Sequence, residues 1–453
     1  MLYPRQGRLK WSNVLWCCLV GYAAMAQPEA AYWVSFLDKA GSTGQLARPE
    51  NFLSARALER RARHAAPVTE QDLPVSSHHL SQLPVAPRYT SRWLNGALLH
   101  LPPDQVAGVR ALPGVRSVWR IGEVRDRPPL HLPHRTWDSA ERALPTARPA
   151  GALSYALDQL RADAPATEWQ PERPVRVAVL DGGFYGYTRQ PALRPLIRRG
   201  GVLATRDFVD GDTTVEELSM HGTRVLTLLA ADQPGHLQAL GRRAEYLLLR
   251  TEDVYQEAPV ELYHWVAALE YADSLGVDIV HSSLGYTAFP PSYAEWASWH
   301  EASRHPLHLA AALAAERGIL LITSSGNGGL GRLSTPADVP AVLAVGAVDA
   351  GGRPARFSAV DTLVQKPELS APGSGLPLVR AYGDGHERGS GTSYSAPLVT
   401  SMAIVLMQAY PAASASAVRE ALLHSCTAHS PDAHVRIGHL PCLSGALTQL
   451  SRH

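Results

Sequence analysis

The 453-residue chain has few cysteines and no marked excess of charge of either sign. None of its four cysteines belongs to a CxxC pair, which argues against a structural zinc site of the usual spacing. The formal net charge of +1 gives no reason to expect binding to nucleic acid or to an anionic membrane. After the first 26 residues no apolar run reaches transmembrane length, so we expect no membrane span in the mature form.

The N-terminus carries the signature of an export signal. Three basic residues precede the mostly apolar run Trp11 to Ala24, and Ala24-Met25-Ala26 fits a signal-peptidase site. A membrane anchor is the alternative, but the apolar run is short for a span. We therefore predict a signal peptide at residues 1–26 and a secreted or periplasmic protein. Its removal would leave only Cys426 and Cys442, which could form one disulfide in an oxidising compartment.

Two domains joined by a linker are predicted for the rest of the chain. Residues 27–122 have the pattern of a small α+β unit whose first and last elements are strands. Its predicted strands are Tyr32–Leu37, Tyr89–Leu101 and Val115–Ile121, and its predicted helices are Pro49–His64 and Asp104–Leu112. Residues 123–150 are polar, rich in arginine and punctuated by prolines, which is typical of a linker. The larger domain would then comprise residues 151–453.

The larger domain alternates apolar strands with helices. The predicted strands are Val175–Leu180, Tyr246–Arg250, Val277–His281, Leu320–Ser324 and Val342–Val348, and the clearest helices between them are Val260–Ser274 and Leu307–Arg317. This alternation indicates an α/β fold with a mostly parallel sheet between two helical layers.

A glycine-rich segment, Gly389 to Pro397, leads into an apolar run that ends before Pro411. Such a tight loop opening a buried helix would hold Ser393 near the positive end of the helix dipole. Alone, the serine is better explained as a helix cap. A nucleophilic serine needs a histidine base and an orienting carboxylate. His221, at the predicted start of a helix, and Asp181, at the end of a strand, are the candidates.

Asparagine is scarce, with four in the chain, and Asn327 directly follows a predicted strand among glycines. Its amide could donate to an oxyanion, although a turn asparagine is the simpler interpretation. His300, His305 and His308, or His424, His429 and His434, could be taken for metal clusters. None of them lies at ligand spacing from carboxylates, so we predict no metal site.

Four segments together resemble the signature motifs of subtilisin-like serine peptidases. They are Asp181-Gly-Gly, His221-Gly-Thr-Arg-Val, Ser325-Gly-Asn327-Gly and Gly391-Thr-Ser393-Tyr-Ser-Ala-Pro397, in the order of subtilisin rather than of chymotrypsin. The resemblance covers about Val175 to Tyr410. The N-terminal unit is similar to the inhibitor-like propeptide of secreted Bacteroidetes members.

The resemblance implies a three-layer α/β/α subtilisin-like fold and a secreted serine endopeptidase that hydrolyses peptide bonds through an acyl-enzyme. It implies Asp181, His221 and Ser393 as the triad and Asn327 as the oxyanion donor. Ser283, Leu284, Gly285 and Gly326 would bind extended protein or peptide substrates. The propeptide would act as an intramolecular inhibitor, and no cofactor is implied. Gly182 and Tyr286 depart from the family pattern, which usually has Ser or Thr and a second glycine there.

Two other functions remain compatible with parts of the sequence. A catalytically inactive relative could serve as a binding protein, although all four proposed site residues are present. An esterase of the α/β-hydrolase kind would be expected to carry G-x-S-x-G, which the chain lacks.

Overall fold

The computed structural model describes residues 28–124, 153–162, 173–216, 219–234, 236–299, 305–380, 386–425 and 438–452. The predicted signal peptide and nearly all of the predicted linker lie outside the described residues. Cys426 does too, so its pairing with Cys442 stays a prediction.

The N-terminal module folds as a four-stranded antiparallel sheet with three short helices. Its strands are β1 (Ala30–Phe36), β2 (Tyr89–Ser91), β3 (Gly96–Leu101) and β4 (Val115–Glu123), and its helices are α1 (Ala55–Arg63), α2 (Ser77–Ser81) and α3 (Val106–Arg110). The spatial order is β2-β3-β1-β4, so the first strand lies at the centre. Its alternate side chains, including Tyr32, Val34 and Phe36, form a small core with β3 and α3.

Two local features set the bounds of these elements. The basic helix begins at Ala55 rather than at the predicted Pro49, because the Ser54 hydroxyl caps it by accepting from the Ala57 N–H at 3.2 Å. Asn95 adopts φ of +47° and turns the chain between β2 and β3. The strand region Tyr89–Leu101, for which the sequence also suggests a bend at Asn95-Gly96, therefore forms the two strands of one hairpin.

The second domain is built on a sheet of seven parallel strands. They are β5 (Arg176–Asp181), β6 (Val202–Asp207), β9 (Glu245–Arg250), β10 (Ile279–Ser282), β11 (Leu320–Ser324), β12 (Leu343–Val348) and β13 (Leu369–Pro372), in the order β13-β12-β11-β10-β5-β9-β6. Two hairpins lie outside this sheet: β7 (Asp232–Gln233) with β8 (Leu237–Gln238), and β14 (Leu376–Val379) with β15 (His386–Gly389).

Helices cover both faces of the sheet. They are α4 (Ser154–Gln159), α5 (Arg194–Arg198), α6 (His221–Ala230), α7 (Val260–Ser274), α8 (Ala294–Trp299), α9 (Pro306–Glu316), α10 (Thr392–Ala409), α11 (Ala415–Leu423) and α12 (Leu443–Leu450). Val177 and Val179 point to the layer of α6 and α10, whereas Ala178 and Leu180 point to that of α7 and α9. Alternation along a strand buried on both faces thus produces three layers.

The α/β/α fold with a parallel sheet is confirmed. All five strands predicted in this domain are present, and two were missed, β6 and β13. These two form the edges of the sheet. Most residues of β6 are only half-buried, and β13 ends in Pro372, so neither shows the continuous apolar run of a central strand.

The N-terminal module packs on the outer side of α7. Trp33 of its central strand packs against Tyr263 with ring centroids 4.4 Å apart and the ring planes tilted by 31°. Arg60 of α1, which is fully buried, donates to Asp273 at 2.5 Å. The module is therefore joined to the second domain by both apolar contact and buried charge. Among the described residues, no helix combines the length and apolarity needed to cross a membrane.

Candidate active site

A buried aspartate and a histidine meet at the carboxyl end of the sheet. Asp181 is the last residue of β5 and is fully buried. His221 is the first residue of α6, and its Nδ1 lies 2.9 and 3.0 Å from the two oxygens of Asp181. The backbone N–H of Gly182 also donates to that carboxylate, at 2.8 Å. A carboxylate held in this way fixes the orientation of the imidazole ring.

Small residues allow α6 to begin against the loop after β5. A Cβ at Gly222 would lie 2.5 Å from the Gly183 carbonyl oxygen, so a side chain there would displace the loop. The Gly222 N–H donates to the same oxygen at 3.1 Å. Ser219 lies two residues before His221, and its hydroxyl accepts from the His221 N–H at 3.1 Å.

Ser393 is the second residue of α10 and is 9% exposed. The helix begins before the predicted apolar run and includes the small polar residues of the glycine-rich segment. The Ser393 hydroxyl donates to the Ser283 carbonyl oxygen at 3.3 Å, and the Ser283 hydroxyl donates to the Ser393 carbonyl oxygen at 3.0 Å. The His221 ring lies against Tyr394, the residue after the serine, with centroids 5.7 Å apart. The serine and the Asp–His pair therefore share one end of the sheet.

The Asn327 side chain is oriented by the start of the same helix. Its Oδ1 accepts from both the N–H and the hydroxyl of Thr392, each at 3.0 Å. This arrangement turns Nδ2 away from Thr392. A Cβ atom placed on Gly391 would lie 3.7 Å from Asn327 Nδ2 and 3.8 Å from the Ser393 backbone nitrogen. Two N–H donors thus converge on one small region beside the serine.

Ser283, Leu284, Gly285 and Gly326 lie on the two loops that follow β10 and β11. Ser283, Gly285 and Gly326 line a cleft of about 600 Å³, together with Asn327 and Ser393. Leu284 is half-buried and is not among the lining residues. A Cβ at Gly285 would lie 2.2 Å from the Ser334 hydroxyl, so glycine is needed for the two rims to approach.

Sequence reasoning missed a buried histidine behind the serine. His281 of β10 is fully buried, with Nε2 2.9 Å from the Ser283 hydroxyl and Nδ1 2.8 Å from the Thr400 hydroxyl. Burial, with a smaller effect of the neighbouring His221, lowers the pKa of His281 to about 3. The imidazole is therefore neutral and links α10 to the Ser283 loop. A histidine within an apolar strand was the available signal.

The two departures from the family pattern face each other across a glutamate. The Tyr286 hydroxyl donates to Glu252, and a Cβ at Gly182 would be 3.4 Å from the Glu252 Cβ. The pKa of Glu252 is raised to about 8, mainly by burial and to a smaller extent by the carboxylates of Glu257 and Asp181, against the lowering effect of the Tyr286 hydrogen bond. Tyr286 is buried, so its side chain packs inward instead of covering the cleft.

No group of three His, Cys, Asp or Glu side chains in the described ranges is arranged to hold a metal ion. Of the two histidine clusters considered, His305 and His308 have ring centroids 5.1 Å apart, and His308 pairs with Asp338 at 3.1 Å. His300, His429 and His434 lie outside the described residues.

Comparison with known proteins identifies the family. The sequence model of the subtilase family matches residues 172–439, more than half of the chain. The chain belongs to the subtilase family. The model of the peptidase S8 propeptide domain of Bacteroidota matches residues 31–131. The predicted resemblance is therefore confirmed for both parts of the chain.

Curated relatives are bacterial proteases of low identity. The chain is 27% identical over 253 residues to alkaline elastase YaB of Bacillus sp. (strain YaB), covering 56% of this chain and 59% of the elastase. It is 27% identical over 278 residues to subtilisin Savinase of Lederbergia lenta, covering 61% of this chain and 93% of the relative. The chain thus spans less than two thirds of the elastase's own length.

Solved structures support the same family. The self-cleaved protease domain of PatA has a TM-score of 0.50 and 26% identity, and the match covers 63% of this chain and 99% of that domain.

Proposed function

We propose that the protein is a secreted serine endopeptidase that hydrolyses peptide bonds through an acyl-enzyme. The observation that carries this proposal is the pairing of the buried Asp181 carboxylate with His221 at the same end of the sheet as Ser393. Asn327 and Ser393 line one cleft, which an extended peptide could enter. The bacterial proteases to which the chain is similar support the same reaction.

The first step is attack on the scissile carbonyl. The Ser393 hydroxyl turns from the Ser283 carbonyl oxygen to His221, whose neutral imidazole takes the proton through Nε2. Oγ then bonds to the carbonyl carbon, and the imidazolium is stabilised by Asp181 through Nδ1. The protonated His221 next gives its proton to the leaving amine, and the acyl group remains on Oγ. Water activated by the same imidazole releases the acid and restores the serine.

The negative oxygen of the tetrahedral intermediate is stabilised by two N–H donors. Asn327 Nδ2 and the Ser393 backbone N–H converge on the region next to Gly391, and the start of α10 adds the positive end of a helix dipole. Thr392 holds the amide in this orientation before substrate binds, so little reorganisation is needed.

The N-terminal module is proposed to inhibit the enzyme until it is removed. Strand β4 ends beside the start of α7: a Cβ at Gly122 would lie 2.9 Å from the Val260 side chain. Val260 follows the loop that carries Glu252, which lies against Gly182 next to Asp181. The last strand of the module therefore lies beside the helix that follows this loop, and we propose that the chain after it reaches the site.

Labelling with a fluorophosphonate probe tests the reaction. Protein expressed from the full chain should become labelled once the N-terminal module has been removed, whereas Ser393→Ala should not. The labelled preparation should cut unfolded protein substrates, and a digest of a peptide library should reveal its cleavage-site preference. A folded wild-type protein that has lost the module and still resists the probe would favour the alternative, an inactive subtilase-like binding protein. Labelling with ester hydrolysis but without peptide cleavage would contradict the endopeptidase assignment.

A further inference from the structure

The cleft beside Ser393 is deep and lined by small side chains. Ten of its thirteen lining residues are Gly, Ser or Thr, and the others are Asn327, Arg332 and Leu333. Its volume of about 600 Å³ is in the range of cavities that enclose a ligand. No bulky aromatic closes it, so a long substrate side chain has room to enter.

The position of the cleft identifies which substrate residue it would hold. Its lining includes Ser393 and Asn327 but not His221. In the proposed mechanism Ser393 and Asn327 contact the scissile carbonyl, while His221 contacts the leaving amine. The side chain next to the attacked carbonyl is therefore the one that enters this cleft.

Arg332 makes the cleft positively charged. It is the one ionisable residue among the thirteen, and no lining residue carries a carboxylate. Within the described part of the chain, Arg332 forms no ion pair. Since a guanidinium can bind a carboxylate through two parallel N–H donors, an acidic side chain would supply the partner that the protein does not.

The surrounding loop makes room for Arg332 and holds its backbone. A Cβ at Gly328 would lie 2.7 Å from the Arg332 Cβ and 3.2 Å from its Cδ, so glycine is needed where the arginine stem passes. The Arg332 N–H donates to the Gly329 carbonyl oxygen at 3.3 Å, and the Gly331 N–H donates to Val360 at 2.7 Å. These bonds fix the base of the side chain, although the arginine itself is exposed.

We propose that the enzyme cleaves preferentially after glutamate or aspartate, with Arg332 as the residue that determines this specificity. The inference rests on the proposed function, because it takes Ser393 as the nucleophile. A charge-assisted hydrogen bond to a partly enclosed partner corresponds to a preference of at least about tenfold over a neutral isostere.

Four peptides that differ only in the residue before the scissile bond, Glu, Gln, Phe or Lys, provide the test. The full chain is expressed, and rates are divided by the fraction of serines labelled by the fluorophosphonate probe. We expect kcat/KM for Glu to exceed that for Gln at least about tenfold in the wild type. Arg332→Ala should abolish this difference, and Arg332→Glu should favour Lys over Glu. Arg353→Ala, which removes an exposed arginine outside the cleft, should keep the wild-type preference.

The two hypotheses fail in different ways. Absence of probe labelling in a folded protein that has lost the N-terminal module would contradict the proposed reaction itself. Normal labelling with equal rates for Glu and Gln, or with an unchanged preference in Arg332→Glu, would contradict only the role of Arg332 and identify it as a solvated surface charge. A labelled preparation that cuts none of the four peptides would contradict the acidic preference as well.

Discussion

At the scale of single residues, the proposed reaction depends on a side chain held by its neighbour. Asn327 can stabilise the oxyanion only if Nδ2 faces the serine, and Thr392 secures this by occupying Oδ1 with two donors. The charge to be stabilised exists only in the transition state, so the amide should affect kcat more than KM.

Asn327→Ala should therefore lower kcat by about 10²–10³-fold with little change in KM. Asn327→Asp is the matched control, because it keeps an acceptor for Thr392 but loses the donor; it should be at least as impaired. Steady-state measurements of kcat and KM with one peptide substrate, for wild type and both variants, test this prediction. A variant within about threefold of wild type would place the oxyanion donor elsewhere.

His281 gives a second prediction, about stability. Replacing it with leucine removes the partner of two buried hydroxyls, Ser283 and Thr400, and should lower the free energy of unfolding by about 2 kcal/mol or more at pH 8. The folded-state pKa of His281 is lowered to about 3, so the wild type loses stability as the pH falls below the unfolded value of about 6.5. That loss reaches about 2 kcal/mol at pH 5.

The leucine variant lacks this titration, so its deficit should shrink between pH 8 and pH 5. Urea unfolding of both proteins in a Ser393→Ala background, which avoids self-digestion, measures the difference. A deficit that stays constant over this range would show that His281 is not held neutral by burial.

The motif residues could be found from the sequence because each lies in a local pattern of glycines and small residues at the end of a strand or the start of a helix. His281 could not be found in this way. Its role depends on Thr400, which lies 119 residues away and is brought close only when α10 packs against the sheet. The Arg332 cleft likewise joins loops from separate parts of the chain.

At the scale of elements, the sequence pattern predicted the strands that are continuous apolar runs and missed the two edge strands, of which β6 is half-buried and β13 contains Ser370 and ends in Pro372. The central strands β5, β9, β10, β11 and β12 read as continuous apolar runs, whereas the edge strands do not. Helix α10 extends beyond its apolar run because small residues let it approach the neighbouring loop: a Cβ at Gly373 would be 2.0 Å from the Ser395 hydroxyl. Such close approach between distant segments has no periodic signature.

The loops after β9 and β10 provide the third prediction. The pKa of Glu252 is raised to about 8, far above its usual value near 4.5, and burial is the main cause. Because the pKa is raised, the folded protein keeps the proton on Glu252 to a higher pH than the unfolded protein does. Wild-type stability therefore falls as the pH rises from about 4.5 to about 8. Glu252→Gln keeps an acceptor for the Tyr286 hydroxyl and cannot ionise.

Relative to wild type, Glu252→Gln should therefore become more stable as the pH rises, with the gain complete by about pH 9. Urea titrations at pH 5, 7 and 9 in the Ser393→Ala background measure it. Glu50→Gln, which changes an exposed glutamate of the N-terminal module, should show no such trend. Parallel stability curves for wild type and Glu252→Gln would mean that Glu252 is already ionised at neutral pH.

At the scale of the whole molecule, the two domains meet through buried charges. Asp273 of α7 accepts from Arg60 at 2.5 Å and from Arg61 at 2.8 Å, and Arg61 also pairs with Asp72. Asp72 in turn accepts from Arg317 of the second domain at 2.7 Å. Separating the two domains would break these ion pairs and leave buried charges without partners. The module should therefore stay docked while the chain between the domains is intact.

That cut is proposed to be made by the enzyme itself. Strand β4 ends beside the start of α7, and residues 123–150 supply a proline-rich segment of the kind that proteases cut. Wild-type protein should lose the N-terminal module and begin between about residue 123 and residue 155, the limits set by composition. Ser393→Ala should lose a signal peptide but keep the module.

N-terminal sequencing of both purified proteins decides between self-processing and a host protease. Maturation of wild type at a series of dilutions separates the intramolecular from the intermolecular route, because the rate constant of an intramolecular cut is independent of protein concentration whereas an intermolecular cut slows on dilution. Arg116→Ala, which changes an exposed arginine of the module, is the matched control and should mature like wild type. If purified Ser393→Ala alone matures at the same bond and the same rate as wild type, Ser393 does not make this cut, and the module's position beside α7 serves docking only.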